Sequence, residues 1–167
     1  AAVLGAADGT GAAPQGVFDA GTAASAAAFS RDTVLAQIKA LEEANADTIS
    51  GMAFITNPAG KEALRKLAGD VITSSGASAP LLDMDGKMMG IDVHITQNCH
   101  TAGSGSHTLG LVLGGFGDCV IGQFGNALDV VADPYTKAIS GEVRLVVLSY
   151  WDVLYRRATS FQTQLGS

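Results

Sequence analysis

The chain has 167 residues, of which 47% are apolar and 16% charged, and a formal net charge of −6. Such a chain can bury about two-thirds of its unfolded surface, as one sizeable domain or two small ones, which excludes an intrinsically disordered protein. The acidic balance excludes an electrostatic grip on nucleic acid, which needs clustered Lys and Arg, and no apolar run approaches the roughly 18 residues of a membrane-spanning helix.

Residues 1–29 are rich in Ala, Gly, Ser and Thr and read as a loop or extended arm. Gly9, Gly11, Gly16 and Gly21 let its path bend sharply. The chain does not begin with Met, so the glycine-dense stretch Leu4–Val17 reads either as a ligand-holding loop or as an internal joint of a larger protein. Ser30 is an N-cap for a helix from Arg31 to about Ala44. Val34, Leu35, Ile38 and Leu41 form its apolar stripe, with Gln37, Lys39 and Glu42 outside it. Met52–Ile55, between Gly51 and Thr56, is short, apolar and bounded by breakers, as a buried strand is. Asn57-Pro58 starts a second helix, with Pro in the first turn where its missing N–H costs nothing. Ala63, Leu64, Leu67 and Ala68 form the buried face of that helix, and Gly69 ends it.

Ser74-Ser75-Gly76, Pro80 and Asp85-Gly86 punctuate residues 70–90, which read as loop with a small hairpin. Ile91–Ile95 alternates as a half-buried strand does, and puts His94 on the solvent side. A Gly/Ser loop at 103–106 leads to a strand over Leu109–Leu113. Cys119–Phe124 and Leu128–Val131 read as two short strands separated by a turn at Gly125-Asn126. From Gly141 onward, Val143, Leu145 and Val147 and then Leu148–Tyr155 make the longest β-prone run. Paired with Leu128–Val131 around the Pro134–Gly141 connection, it predicts an elongated antiparallel ribbon. Two helices, about seven strands and no regular βαβ alternation make the class α+β.

Candidate chemistry is thin. A phosphate-cradling loop joins a strand to a helix and is followed by Lys and Ser/Thr. Asp8-Gly9-Thr10-Gly11 has neither that Lys nor a helix before about residue 30, and its carboxylate repels phosphate, so it reads as a structural turn. His94, Cys99, His100, His107 and Cys119 are the densest set of potential metal ligands. Structural zinc sites need ligand pairs two to four apart, twice over. Only Cys99-His100 are close, and neighbours on an extended chain point to opposite faces. Cys119, between Asp118 and Val120, reads as a small buried hydrophobe, and Cys99 near His100 or His107 matches no protease signature. Glu42-Glu43 and Asp83/Asp85 read as solvated carboxylates. Tyr150, Trp151 and Tyr155 read as core or interface anchors. No catalytic, cofactor-binding or metal-binding residue is therefore expected. Two cysteines make no disulfide framework, and reduced thiols in a cytoplasmic setting are the default. A free-standing domain carries about a quarter charged residues, so this sparsely charged surface fits a protein that lies against neighbours.

Taken in order, the motifs resemble the C-terminal half of the tailed-phage major capsid family, the Hong Kong 97-type fold. Leu4–Val17 is similar to the family's Gly-Asp-Gly-Thr-Gly…Gly loop after its long spine helix. Phe54-Ile55-Thr56-Asn57-Pro58, with the helix carrying Leu64 and Leu67, is similar to its strand–Asn-Pro–helix step. Met89-Gly90-Ile91-Asp92-Val93 is similar to a Gly-x-Pro-Val strand, and Gly115-Phe116-Gly117-Asp118 with Ile121 to a Gly-Asp step. Val143-Arg144-Leu145 through Trp151-Asp152-Val153 to Ala158 and Phe161 is like the closing strands. The chain departs from the pattern at Ala6-Ala7, which are inserted before Asp8, at Asp92 in place of Pro, and in having no basic residue before Asp152.

The resemblance implies a connecting loop or arm at 1–19, an axial domain at 20–127 to which 158–167 returns, and part of a peripheral domain, a β-ribbon, at 128–157. It implies a mixed sheet with two helices in the axial domain. It also implies that an N-terminal arm, an extended loop and the spine helix lie upstream, so that this chain is a fragment beginning at a joint. The implied function is structural: a major capsid protein of a tailed phage or prophage that self-assembles into capsomers and an icosahedral shell. Its partners would be copies of itself in pentamers and hexamers, with no cofactor, no specific nucleic acid, no membrane and no small-molecule substrate. Its place would be the virion, after synthesis in the bacterial host's cytoplasm. Some members cross-link through a Lys and an Asn beside a catalytic carboxylate; Gly141-Glu142-Val143 stands where the Asn would be needed, so no such reaction is expected. Loops near 74–88 and 100–107, long and rich in Gly and Ser, are expected to face the capsomer axis. The rival readings are an encapsulin-like nanocompartment shell protein and a small enzyme using Cys99, His100 and His107.

Overall fold

Apolar runs bounded by breakers become a mixed sheet, and two capped helices cover one of its faces. In the computed structural model of the chain, the described residues are 14–23, 29–46, 51–71, 78–100 and 109–166. Helix α1 is a single turn, Val17–Ala20, followed by the two-residue strand β1 at Thr22–Ala23. Within the expected arm, β1 lies parallel to the strand Phe161–Gly166.

Helix α2, Arg31–Glu43, starts where Ser30 predicts. The Ser30 hydroxyl accepts the Thr33 amide at 3.2 Å, and the Thr33 hydroxyl accepts the Ser30 amide at 3.0 Å, so both otherwise orphaned donors are satisfied. Val34 and Leu41 are buried and Ile38 packs against the core, as the stripe predicts, but two positions differ. Leu35 is largely exposed, whereas Gln37 is buried. Its carboxamide donates to Gln164 Oε1 at 3.1 Å, and that tertiary bond makes burial of the amide tolerable.

Strand β2 is Met52–Thr56, and helix α3 is Pro58–Lys66. Asn57 caps α3 by accepting the Gly60 amide at 2.8 Å, as expected from Asn-Pro. The helix stops at Lys66 rather than at Gly69, because Ala68–Val71 form strand β3, which pairs antiparallel with β4, Ser78–Pro80. Strands β5, Lys87–Met88, and β6, Ile91–Ile95, form a hairpin through Met89 and Gly90. Both loop residues have positive φ, 52° and 83°, the pattern of a type I′ turn. Asp85-Gly86 makes a separate turn just before it, closed by the Gly86 amide donating to the Asp83 carbonyl at 3.1 Å.

Strand β7 is Leu109–Gly115, β8 is Cys119–Asp133, β9 is Arg144–Tyr155 and β10 is Phe161–Gly166. The two short strands expected at 119–131 are one strand. Phe124 pairs with Tyr150 and Asp129 with Leu148, so four residues, 125–128, face Ser149 alone. The expected turn is therefore a bulge, with Gly125 taking φ +71°, and the strand resumes because its apolar run still has a partner. Among the described residues there are three α-helices and ten strands rather than two and about seven; the additions are one-turn or two-to-four-residue pieces and the six-residue β10.

The main sheet has the order β1-β10-β7-β2-β6-β5 and is mixed, with β1–β10 and β2–β6 parallel and the other pairs antiparallel. Alternation divides its core. Phe54, Leu111 and Leu113 meet Val34, Leu41 and Leu64 of the helices on one face. Val112 and Phe161 meet Val17 and Cys99 on the other. Burial on both faces is why Leu109–Gly115 reads as a continuous apolar run. Strands β8 and β9 leave this sheet together as a separate two-stranded ribbon, the elongated antiparallel ribbon predicted from the sequence.

Candidate functional site

The thiols and imidazoles do not converge. Cys99 is buried against Val17, Val112 and Phe161, and burial pushes its thiol up to about 12. At neutral pH it is an uncharged thiol, which neither attacks a carbonyl nor ligates a metal well. Cys119 opens β8 half-buried, and burial raises its thiol as well. His100 lies against the Phe18 ring, 5.4 Å between centroids, and His94 is exposed on β6, as its place in the alternation predicts. His107 falls outside the described residues, as do the centres of the two Gly/Ser loops at 72–77 and 101–108. Among the described residues no three His, Cys, Asp or Glu side chains gather in a metal-binding arrangement. None of the described helices is long and apolar enough to cross a membrane.

The carboxylates read as solvated are exposed: Glu42, Glu43, Asp83 and Asp85 all face solvent. A shallow groove along α3, lined by Pro58, Lys61, Glu62, Arg65 and Lys66, is open surface, and its Lys66–Glu62 pair spans one helical turn at 2.5 Å. An exposed pair of this kind contributes little.

One buried carboxylate escaped the sequence reading. Asp118 sits where β7 passes into β8 and is 5% exposed. Its Oδ2 accepts the Ser160 hydroxyl at 2.5 Å and the Arg157 Nε at 2.9 Å. Those bonds, the Ser160 one foremost, hold its carboxyl below the ordinary carboxylate value against the opposing effect of burial. With a hydroxyl and a guanidinium both bound to one oxygen, it is the acid of an ion pair whose carboxylate is engaged by its neighbours. The available signal was that Asp118 is the single formal charge between Asp92 and Asp129.

The surface that calls for a partner is the ribbon. On one face lie Val120, Phe124, Val131, Leu148, Tyr150 and Leu154; on the other lie Ile121, Val130, Leu145, Val147 and Trp151. Phe124 is 59% exposed, Leu154 64%, Leu145 65% and Trp151 56%. Tyr155, at the root, instead packs edge-on against Phe161 with centroids 5.2 Å apart. Of the three aromatic residues read as anchors, Tyr155 is therefore in the core, and Tyr150 and Trp151 are on the surface. A soluble monomer rarely leaves so much contiguous apolar surface uncovered.

The pattern of the phage capsid family matches residues 1–163. The chain belongs to that family. The fold agrees with the assignment. A chain from Mycobacterium phage Che8 is 18% identical and superposes with a TM-score of 0.63 over 89% of this chain and 54% of that one. The capsid of an empty GTA particle is 17% identical, with a TM-score of 0.67 over 99% of this chain and 60% of that one. A chain from Gordonia phage Cozz is 11% identical, with a TM-score of 0.60 over 99% and 55%. No curated protein matches the sequence. The chain thus spans a little over half the length of these solved structures and shares the Hong Kong 97-type fold with them.

Proposed function

We propose that this member of the phage capsid family is a structural subunit of a tailed-phage or prophage major capsid protein, and that copies of it associate through the ribbon into capsomers and a closed shell. One observation carries the reading: a ribbon with apolar side chains uncovered on both faces, in a chain matched by the capsid family over residues 1–163. Its partners are other copies of itself. Shell closure then comes from many weak contacts repeated by symmetry, and needs no catalytic residue, cofactor, membrane or specific nucleic acid. In this reading, residues 1–19 form a connecting arm, 20–127 with 158–167 an axial domain, and 128–157 a peripheral ribbon, with β8 running from the second into the third. The protein is made in the host cytoplasm and ends in the virion.

The raised thiols, which stay protonated, and Asp118, whose carboxylate is engaged by Ser160 and Arg157, support a structural role. Negative-stain microscopy of the full-length product tests the proposal: closed shells are expected. Persistent monomers that turn over a small substrate would overturn it.

A further inference from the structure

Both strands of the ribbon cross from the sheet through short 3-10 turns, Phe116–Asp118 on the way out and Ala158–Ser160 on the way back. The sheet ladder ends at the pair Phe161–Gly114, and the ribbon ladder begins at Cys119–Tyr155. Between these ladders the two crossings are unequal, four residues (115–118) against five (156–160), so regular pairing cannot carry through. Such a gap is a natural hinge, because two segments joined to each other by few backbone bonds resist bending far less than a continuous ladder.

Asp118 spans the gap twice. Its carbonyl accepts the Arg156 amide at 2.9 Å, and its carboxylate holds Arg157 and the fully buried Ser160. Aromatic rings wedge the same junction. Phe161 meets Phe116 edge-on at 5.6 Å and Tyr155 at 5.2 Å. It lies so close to Gly114 that a Cβ there would stand 2.4 Å from the ring. The rings fill the junction, but such packing fixes an angle less sharply than a hydrogen-bonded charge does. The carboxylate, with two donors on one oxygen, is directional.

We infer that Asp118 is a positioning residue: by binding Arg157 and Ser160 it sets the inclination of the β8–β9 ribbon to the main sheet. The ribbon's apolar faces are thereby presented at one angle. A subunit without the latch keeps its core but offers those faces over a range of angles. For the consequence in assembly this rests on the capsid reading above; the latch itself does not.

The experiment is hydrogen exchange on the unassembled full-length protein. In Asp118→Asn, peptides covering 116–121 and 153–160 should exchange roughly tenfold faster, while those covering β2 and the middle of β7 keep wild-type rates. Arg157→Met gives the same local pattern from a half-exposed position, so a folding failure of the first variant does not end the test. The double variant should add little beyond Asp118→Asn, as expected for one shared interaction. Unchanged exchange at the junction, or acceleration spread evenly through β2 and β7, overturns the inference. Electron microscopy of the same variants supplies a readout that lost stability alone would not give: irregular or open assemblies in place of uniform shells. Shells of wild-type size from Asp118→Asn overturn the role in assembly. A wild type that makes no shells refutes the capsid reading and leaves the exchange result to decide the latch.

Discussion

The sheet-and-helix body and the β8–β9 ribbon are built from similar apolar residues and treat them in opposite ways. In the body, Phe54, Leu64, Leu111, Leu113 and Phe161 are entirely removed from solvent, and the sheet is covered on both faces. In the ribbon, Phe124, Leu145, Trp151 and Leu154 all keep more than half their surface in water. At the ribbon's root Val153 is 8% exposed, and Cys119 and Tyr155 pack against the Phe161 cluster. A two-stranded sheet is marginal by itself in water, and its outer edges present unpaired backbone groups. Apolar burial is concentrated in the body, whereas the ribbon keeps most of its apolar surface in water. The same residue type is thus withdrawn from water in one region and left in it in the other.

Substitutions in the two regions should therefore separate, and the largest effect belongs to the body. Phe161→Ala should cost about 3–5 kcal/mol of folding stability, because it removes the ring shared by Phe116, Tyr155 and Val112 and leaves a cavity. A denaturant midpoint measures it, and a loss below about 1 kcal/mol would mean the second face of the sheet is not a packed core. Next comes Gln37→Ala, expected to cost about 1–3 kcal/mol by taking the donor from Gln164 Oε1 inside the core. Ser30→Ala should cost about 1 kcal/mol through loss of the α2 capping box, with the effect read in the same unfolding curves.

Acid probes the junction between the regions. The folded carboxyl of Asp118 lies below its ordinary value of 3.8, so between those two values the unfolded chain binds more protons than the folded one. Its contribution is complete above pH 3.8 and is lost as pH falls through the lowered folded value. Wild type should lose stability in that window more steeply than Asp118→Asn; parallel pH profiles would show that the carboxylate is not held by Ser160 and Arg157.

What the sequence reveals follows the range of the forces involved. Ser30 and Asn57 cap helices through bonds three residues away, and both helix starts were legible. Alternation in Ile91–Ile95 placed His94 in solvent, and the β-prone run after Gly141 predicted the ribbon. Gln37 was misplaced because its partner lies 127 residues further on, and helical periodicity knows nothing of Gln164. Gly69 looked like a helix end, but pairing with Ser78–Pro80 took Ala68–Val71 into a strand instead. Gly125-Asn126 has turn chemistry, yet the pairing of β8 with β9 on both sides makes it a bulge. Asp118 stands in the sequence as the end of a Gly-Asp step, but its role as a buried acceptor is hidden, since Arg157 and Ser160 stand 39 and 42 residues away.

The smallest effect on the folded subunit is the one that distinguishes the regions best. Phe124→Thr with Leu154→Thr alters one face of the ribbon, and Leu145→Thr with Val147→Thr alters the other. Threonine is β-branched and suits a strand, so backbone pairing has little reason to change. Because all four side chains are more than half exposed, each substitution should shift folding stability by less than about 0.5 kcal/mol. Association is a different matter: a residue covered by a neighbouring copy loses its burial in every copy of a symmetric shell at once. Assembly measured by light scattering should therefore fall for whichever face is covered, while the unfolding midpoint stays put. If both pairs leave assembly intact, the ribbon's apolar faces are not the contact. If both abolish it with stability unchanged, both faces are covered in the shell, and the ribbon is sandwiched rather than laid against a single neighbour.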